Sequence, residues 1–291
     1  MNTPPITFEA HGNYVIGIQF TPDSQTLISS GMDNLIKLWS VPDWQHVTTF
    51  KGHAHSVNDL SLSPDGKTLA SSSTDQTVKL WSFPEGQLLH TMQDLKKTVS
   101  TVTFSNDGQW IASGSYGGRA VVWNLSGEMV VGIRASKKNL SSVAFSPDKN
   151  ILATSGLGDE IKLWSLPEGE QIGELSGHQT AVWGLRFIKG GDQFISFGYE
   201  QTIKLWDTQS WEVIYTIDTK EYGIRAINFS PDEKLLVTGA ESKLQLWSTD
   251  SWKVEREIDA GAKALYGMDF SPDGKWLAVG AADKKVRVWE L

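Results

Sequence analysis

The segment SPDGKTLASSSTDQTVKLW, residues 63–81, contains the pattern that decides the fold. It begins with the turn phrase SPDG, in which Pro fixes φ at the second turn position and Asp and Gly supply local hydrogen bonding and a positive φ. Two short stretches of strand-forming residues follow, and the second alternates apolar and polar residues up to Trp81. Such alternation is typical of β-strands. The segment therefore predicts a tight turn, a strand, a second turn and a second strand.

The same pattern occurs seven times in the 291 residues, with 41 or 42 residues between the tryptophans that end it: Trp39, Trp81, Trp123, Trp164, Trp206, Trp247 and Trp289. Five repeats besides the second carry a similar turn phrase, and IKGGDQ (188–193) replaces it in the fifth. A four-stranded unit of about 40 residues cannot bury its own faces, so it must stack on copies of itself. We therefore predict one all-β domain over residues 1–291, built from seven four-stranded antiparallel units that close into a ring.

The amino-acid composition argues against several classes of function. The chain has 26 Lys and Arg against 34 Asp and Glu, a formal net charge of −8, which argues against a dedicated nucleic-acid binder. It has no cysteine, so disulfides, thiol chemistry and zinc-thiolate sites are excluded. The N-terminus lacks the pattern of a signal peptide, and no apolar stretch approaches the roughly 20 residues that span a bilayer. We expect a cytoplasmic protein without membrane insertion.

The repeats resemble the WD40 family, and the resemblance covers essentially the whole chain. It implies a seven-bladed β-propeller whose blades contain a hydrogen-bonded tetrad: a His before the first strand, a Ser or Thr on the second, an Asp in the next turn, and the Trp. Three repeats retain tetrad residues, with Glu200 at the Asp position of the fifth: His11, Ser29, Asp33 and Trp39; His53, Ser71, Asp75 and Trp81; His178, Ser196, Glu200 and Trp206.

The other four repeats depart from the tetrad, while their spacing and strand pattern persist. The residues at the His position are Leu95, Ser136, Lys220 and Gly261. In two of these repeats the Asp position holds a glycine, Gly117 or Gly158.

The two ends of the chain indicate how the ring closes. The seventh repeat stops at Leu291, just after its third strand, and so lacks an outer strand. Residues 5–9, PITFE, align with VTTFK (47–51), the outer strand of the first repeat. We therefore predict that the N-terminal strand pairs onto the last blade, as in the family, so that no open edge remains.

No catalytic arrangement stands out from the repeat. The recurrent aspartates lie in turns at equivalent places and do not form a converging acid/base pair. His53 and His55 make a two-ligand metal fragment, but His53 belongs to a tetrad and no third ligand is evident. We expect a non-catalytic protein with no cofactor and no metal, and a propeller enzyme is the less favoured alternative.

The resemblance also places three positions of each repeat on one loop-bearing face, here called the top face. Aromatic residues and an arginine are concentrated there, and these types dominate interface hot spots. The predicted partner-binding residues are Tyr14, Ile16, Met32, Tyr116, Trp183, Tyr199, Arg225 and Tyr266. We expect a monomeric scaffold that binds one or more proteins or extended peptides through them.

Paired lysines occupy matching loops of the third and fourth repeats: Lys96, Lys97, Lys137 and Lys138. On an acidic protein they form a candidate patch for an acidic or phosphorylated ligand, or for nucleic acid. Solvated lysines on exposed loops are the alternative interpretation. A nucleic-acid role would require an affinity that falls steeply with salt.

Overall fold

A computed structural model describes residues 4–291, which contain 28 β-strands and one short 3₁₀ turn. Two compact units are separable: a terminal unit, made of Ile224–Leu291 and the chain up to Leu60, and a central unit, Ser61–Gly223. The first three residues of the predicted domain lie outside the described residues. That residues 1–291 form a single domain stays a prediction.

The terminal unit contains three blades, each a four-stranded antiparallel sheet. Blade 1 consists of β2 (Val15–Phe20), β3 (Thr26–Gly31), β4 (Ile36–Ser40) and β5 (His46–Phe50). Blade 6 consists of β22 (Ala226–Phe229), β23 (Leu235–Ala240), β24 (Lys243–Ser248) and β25 (Val254–Asp259). Blade 7 consists of β26 (Leu265–Phe270), β27 (Trp276–Ala281), β28 (Lys285–Glu290) and β1 (Ile6–Glu9).

Four more sheets follow along the chain, and they lie in the central unit except that the first strand of blade 2 begins before it. Blade 2 consists of β6 (Val57–Leu62), β7 (Thr68–Ser73), β8 (Val78–Ser82) and β9 (Leu88–Met92). Blade 3 consists of β10 (Val99–Phe104), β11 (Trp110–Ser115), β12 (Arg119–Asn124) and β13 (Met129–Arg134). Blade 4 consists of β14 (Leu140–Phe145), β15 (Ile151–Gly156), β16 (Ile161–Ser165) and β17 (Gln171–Leu175). Blade 5 consists of β18 (Val182–Ile188), β19 (Gln193–Gly198), β20 (Thr202–Asp207) and β21 (Val213–Asp218), with the 3₁₀ turn Lys189–Gly191 between its first two strands.

The N-terminal strand completes blade 7. Strand β1 pairs antiparallel with β28, and Phe8 lies opposite Val286. The Phe8 ring packs against Trp39 and Trp44, with ring centroids 4.8 and 6.3 Å apart. The prediction of an all-β chain with seven four-stranded blades, the last completed by the N-terminal strand, is confirmed.

The strand pattern of each repeat explains where the core lies. The second strand of every blade is buried along nearly its whole length, because both of its faces pack against protein. The third strand brings the repeat tryptophan into the same core, and all seven of these tryptophans are buried. Since a large aromatic contributes more buried apolar area than other side chains, the tryptophan repeat is also a repeat of core anchors.

An aspartate closes the turn between the first two strands of most blades. In blade 2 the Oδ1 atom of Asp65 accepts hydrogen bonds from Ser63 Oγ at 2.6 Å and from the Lys67 N–H at 3.1 Å. These two bonds, in that order of size, lower the pKa of Asp65. The same Ser or Thr to Asp bond occurs in five other blades, with donors Thr21, Ser105, Ser146, Ser230 and Ser271.

Three tryptophans occupy the turn before the fourth strand in a left-handed backbone conformation. The φ angles of Trp44, Trp211 and Trp252 are 56°, 56° and 52°. The equivalent turns of blades 2 and 4 hold Gly86 and Gly169, whose φ angles are also positive. Because a side chain at positive φ carries a steric cost, these tryptophans must be held by their contacts. Trp211 packs edge-on against the rings of Phe187 and Phe194.

Candidate functional site

Blade 1 contains a complete hydrogen-bonded tetrad. His11 Nδ1 lies 2.8 Å from Asp33 Oδ1, and His11 Nε2 lies 2.8 Å from Ser29 Oγ. The same Ser29 Oγ accepts a bond from Trp39 Nε1 at 2.9 Å. The carboxylate can only accept, so His11 Nδ1 donates to Asp33, and in that tautomer Nε2 accepts from Ser29. The loop before the first strand is thereby tied to the second and third strands.

Blade 5 has the same network with a longer acid. His178 Nδ1 lies 2.8 Å from Glu200 Oε1, and His178 Nε2 lies 2.7 Å from Ser196 Oγ. Burial lowers the pKa of His178 against the opposing effect of Glu200, so the imidazole is neutral at pH 7. Burial opposes ionisation of Glu200 as well, but hydrogen bonds from Thr202, the Gln179 N–H and His178 lower its pKa. At pH 7 the tetrad therefore holds a neutral imidazole between a carboxylate and a hydroxyl.

The link between tryptophan and hydroxyl is more widespread than the full tetrad. In six blades the tryptophan Nε1 donates to a buried Ser or Thr hydroxyl on the second strand, at 2.8–3.1 Å: Ser29, Ser71, Ser113, Thr154, Ser196 and Thr238. In blade 2, His53 is buried as well. Half of the tetrad thus persists where the histidine is absent, in blades 3, 4 and 6.

Two blades that lack the histidine fill its place in other ways. In blade 3, Leu95 is buried in an apolar cluster with Val99 and Val121. In blade 7, the buried Arg287 donates to the Gly261 carbonyl at 3.1 Å and to Asp283 at 2.5 and 3.0 Å. Lys220, by contrast, is exposed and pairs with Asp218.

In the terminal unit, three of the predicted partner-binding residues form one cluster. The rings of Tyr14 and Tyr266 stack with centroids 6.0 Å apart and an interplanar angle of 21°. The Arg225 guanidinium lies 5.5 Å from the Tyr266 ring centroid, within the range of a cation–π contact. Tyr14 and Arg225 are exposed, and Tyr266 is half-buried. The exposed Met32 is tied to Tyr14 by a backbone hydrogen bond, and Ile16 is half-buried.

In the central unit, Trp183 and Tyr199 form an edge-to-face pair with centroids 5.5 Å apart. Tyr199 is 54% exposed, and its carbonyl accepts a bond from the Gly223 N–H. Sequence reasoning missed Tyr222, which precedes Gly223 and at 64% is the most exposed large apolar side chain of the described residues. The predicted position lies three residues after the His position, Lys220, and Gly223 occupies it, so Tyr222 was missed by one residue. Tyr116 is also exposed, on a turn of blade 3, and is not joined to this pair.

The two lysine pairs have different surroundings. In blade 3, Lys97 covers Gly117, where a Cβ would lie 3.3 Å from Lys97 Cγ. In blade 4, Lys137 and Lys138 line a cavity of about 270 Å³. The cavity occupies the tetrad region of that blade, since Ser136, Thr154 and Gly158 also line it.

The described residues contain no group of three or more His, Cys, Asp or Glu side chains arranged to hold a metal ion. Within residues 4–291, no helix has the length and apolar character needed to cross a membrane.

Seven four-stranded blades, each anchored by a tryptophan, define the chain as a repeat protein of the β-propeller class. A family model described as "WD domain, G-beta repeat" matches the chain seven times, at residues 2–40, 44–82, 86–124, 127–165, 169–207, 211–248 and 252–290. The chain therefore belongs to the WD40 family.

The similarity to named relatives is local. The chain is 34% identical over 71 residues to the serine-threonine kinase receptor-associated protein of Dictyostelium discoideum, covering 24% of each chain. It is 42% identical over 62 residues to eukaryotic translation initiation factor 3 subunit I of Drosophila willistoni, covering 21% of this chain and 19% of the relative. It is 31% identical over 71 residues to the human serine-threonine kinase receptor-associated protein, covering 24% and 20%. The matched stretches thus span a quarter or less of these relatives' length.

Proposed function

We propose that this protein is a non-catalytic, monomeric cytoplasmic scaffold that binds a protein or an extended peptide through aromatic residues of its top face. The observation that carries the proposal is two pairs of aromatic rings, Tyr14 with Tyr266 and Tyr199 with Trp183, in each of which the first ring is exposed and the second half-buried. Rings held by mutual contacts lose little conformational freedom on binding and still present apolar area and a polar group. They are suited to act as anchors.

The charges around the terminal-unit pair add a second argument. The Arg225 side chain lies over Tyr266, so a carboxylate or carbonyl of the partner would meet a cation already in place. Across an interface such a charge favours one orientation of the partner. Membership of the WD40 family supports the proposal, as do two relatives whose names describe a receptor-associated protein and a subunit of a larger factor.

The test is affinity capture of tagged protein from native cell extract, read by mass spectrometry. Two variants separate the clusters: Tyr14→Ala/Tyr266→Ala and Trp183→Ala/Tyr199→Ala. Tyr215→Ala is the matched control, because Tyr215 is an exposed tyrosine on a fourth strand, outside the predicted face. We expect a partner that the wild type and the control retain and that at least one double variant loses.

Capture of the same proteins by all four forms, with melting temperatures unchanged, would refute the proposal. The partner's affinity should also change little between 50 and 200 mM salt, since aromatic anchors are not screened. A loss of about a thousandfold over that range would instead indicate nucleic acid.

A further inference from the structure

We propose that blade 4 contains a binding site for a small phosphate-bearing molecule, located in the cavity that its incomplete tetrad leaves open. The cavity is lined by Lys137, Lys138 and Lys162 and by the hydroxyl-bearing residues Ser136 and Thr154. This site is independent of the aromatic clusters proposed to bind a protein.

The cavity exists because two side chains of the tetrad are replaced and nothing substitutes for them. Ser136 stands at the His position and Gly158 at the Asp position, and both line the cavity. Blade 3 has the same glycine, at Gly117, but there the buried Leu95 fills the place of the histidine. Blade 7 fills it with Arg287. A volume of about 270 Å³ lies just below the range of about 300–1,000 Å³ that is typical of drug-sized ligands, and so suits a smaller molecule.

The charged residues that line the cavity favour an anion over a cation as the ligand. Three lysines face one carboxylate, Glu160. The Nζ atom of Lys162 lies 3.8 Å from both Glu160 and Glu174, whereas Lys137 and Lys138 have no ion-pair partner among residues 4–291. Two exposed lysines that no protein carboxylate neutralises, both lining a partly enclosed cavity, would repel a metal cation and attract a dianion.

The hydroxyl groups of the lining favour phosphate in particular. In blade 1 the Ser29 hydroxyl accepts from Trp39 and has His11 Nε2 as acceptor for its own proton. In blade 4, Thr154 Oγ1 accepts from Trp164 Nε1 at 2.9 Å, but the histidine that would take its proton is missing. The Ser136 Oγ likewise accepts from the Lys138 N–H at 2.9 Å. Both hydroxyl protons are therefore available to an anion with several acceptor oxygens, which a phosphate group has.

The test is calorimetric titration of the intact protein with inorganic phosphate and with glycerol 3-phosphate, at constant ionic strength against chloride. Lys137→Ala/Lys138→Ala should weaken binding about tenfold or more, because charge-assisted hydrogen bonds are lost. The matched control is Lys96→Ala/Lys97→Ala, which removes the same charge from the equivalent loop of blade 3 and should change the affinity less than about twofold.

A cavity-filling variant distinguishes binding inside the cavity from attraction to charges on the surface. Ser136→His/Gly158→Asp restores the residues of a complete tetrad and leaves every lysine in place. A Cβ at Gly158 would meet its nearest atoms at 3.9 Å, so the backbone has room for the aspartate. We expect this variant to lose phosphate binding. Because the new aspartate would also bring a negative charge beside Lys138 Nζ, Ser136→Leu, which copies Leu95 of blade 3 and changes no charge, is tested beside it and should lose binding as well.

Three results would overturn the proposal. One is that neither phosphate compound binds more tightly than chloride. Another is that the two lysine double variants lose affinity equally, which would indicate diffuse attraction to surface lysines. The third is that a folded, filled variant binds the phosphates as well as the wild type does, which would place the ligand outside the cavity.

Discussion

Replacement of Phe8 by alanine tests how much the N-terminal strand of blade 7 contributes to the stability of the fold. The Phe8 ring is half-buried against Trp39 and Trp44 and belongs to the apolar cluster of Val286 and Val288. Truncation of a fully buried Phe costs about 3–5 kcal/mol, and partial exposure reduces this to about 2–3 kcal/mol. In a domain larger than 150 residues, each kcal/mol lowers the melting temperature by about 2–4 °C. We expect Phe8→Ala to melt about 5–10 °C below the wild type.

Differential scanning calorimetry provides the assay, with Thr7→Ala as the control. Thr7 is the next residue of the same strand, but its side chain is exposed and its loss should change the melting temperature by less than about 2 °C. Removal of residues 1–9 should lower it further than Phe8→Ala, because the ladder to β28 is lost as well. If Phe8→Ala and the truncated chain melted within about 2 °C of the wild type, the closing strand would not contribute to stability, and the reasoning would be wrong.

Three further perturbations address the turns and the tetrads. Asp65→Asn should lower the melting temperature at pH 7, and its difference from the wild type should shrink below about pH 4. The reason is that a carboxyl with a lowered pKa stabilises the fold above the pKa of the unfolded chain, about 3.9, and ceases to do so as the pH falls through the pKa of the folded state. A difference in melting temperature that stays constant down to about pH 2 would contradict this account. Ser196→Ala leaves an imidazole and an indole N–H without their buried partner and should lower the free energy of unfolding in urea by about 2–4 kcal/mol. Ser113→Ala, in a blade without the histidine, should lower it by about half as much. Equal losses of stability in the two variants would refute the contribution of the imidazole. The Trp211→Gly variant should be more stable than the Trp211→Ala variant by about 1 kcal/mol, because glycine adopts the φ of 56° without steric cost. If the glycine variant melted below the alanine variant, backbone strain at this turn would be refuted.

The architecture follows from the sequence because its determinants are local and repeated. Each repeat carries its own turn phrase, its own alternating strand and its own tryptophan, so an error in one repeat does not change the register of the others. The closing strand was predictable for the same reason: residues 5–9 repeat the pattern of an outer strand that the seventh repeat lacks. The structure begins this strand at Ile6.

The site was less predictable, because it depends on which side chains touch across a turn. The spacing placed Tyr14 and Tyr266 on the same predicted face, three and five residues after the His positions of their repeats, but only the structure shows that they stack. Counting along the repeat overlooked Tyr222, since it lies one residue before the position that the pattern selects. The sequence also shows Leu95 and Ser136 as equivalent departures from histidine. Leu95 fills the space of the missing histidine, whereas Ser136 leaves a cavity. The difference lies in side-chain volume, which a sequence motif does not describe.

The tetrads explain how this family of repeats can vary without losing its fold. Six blades keep the bond from tryptophan to a buried hydroxyl, which joins the second and third strands, while only some keep the histidine and the acid that tie down the preceding loop. The first bond lies within the sheet, so its loss would leave an indole N–H and a hydroxyl buried without partners. The histidine and the acid lie at the edge of the sheet, where a leucine, an arginine or an open cavity can replace them at a smaller cost. Binding chemistry can therefore arise at a blade's loop end by loss of the tetrad, and the lysines of blade 4 occupy such a place.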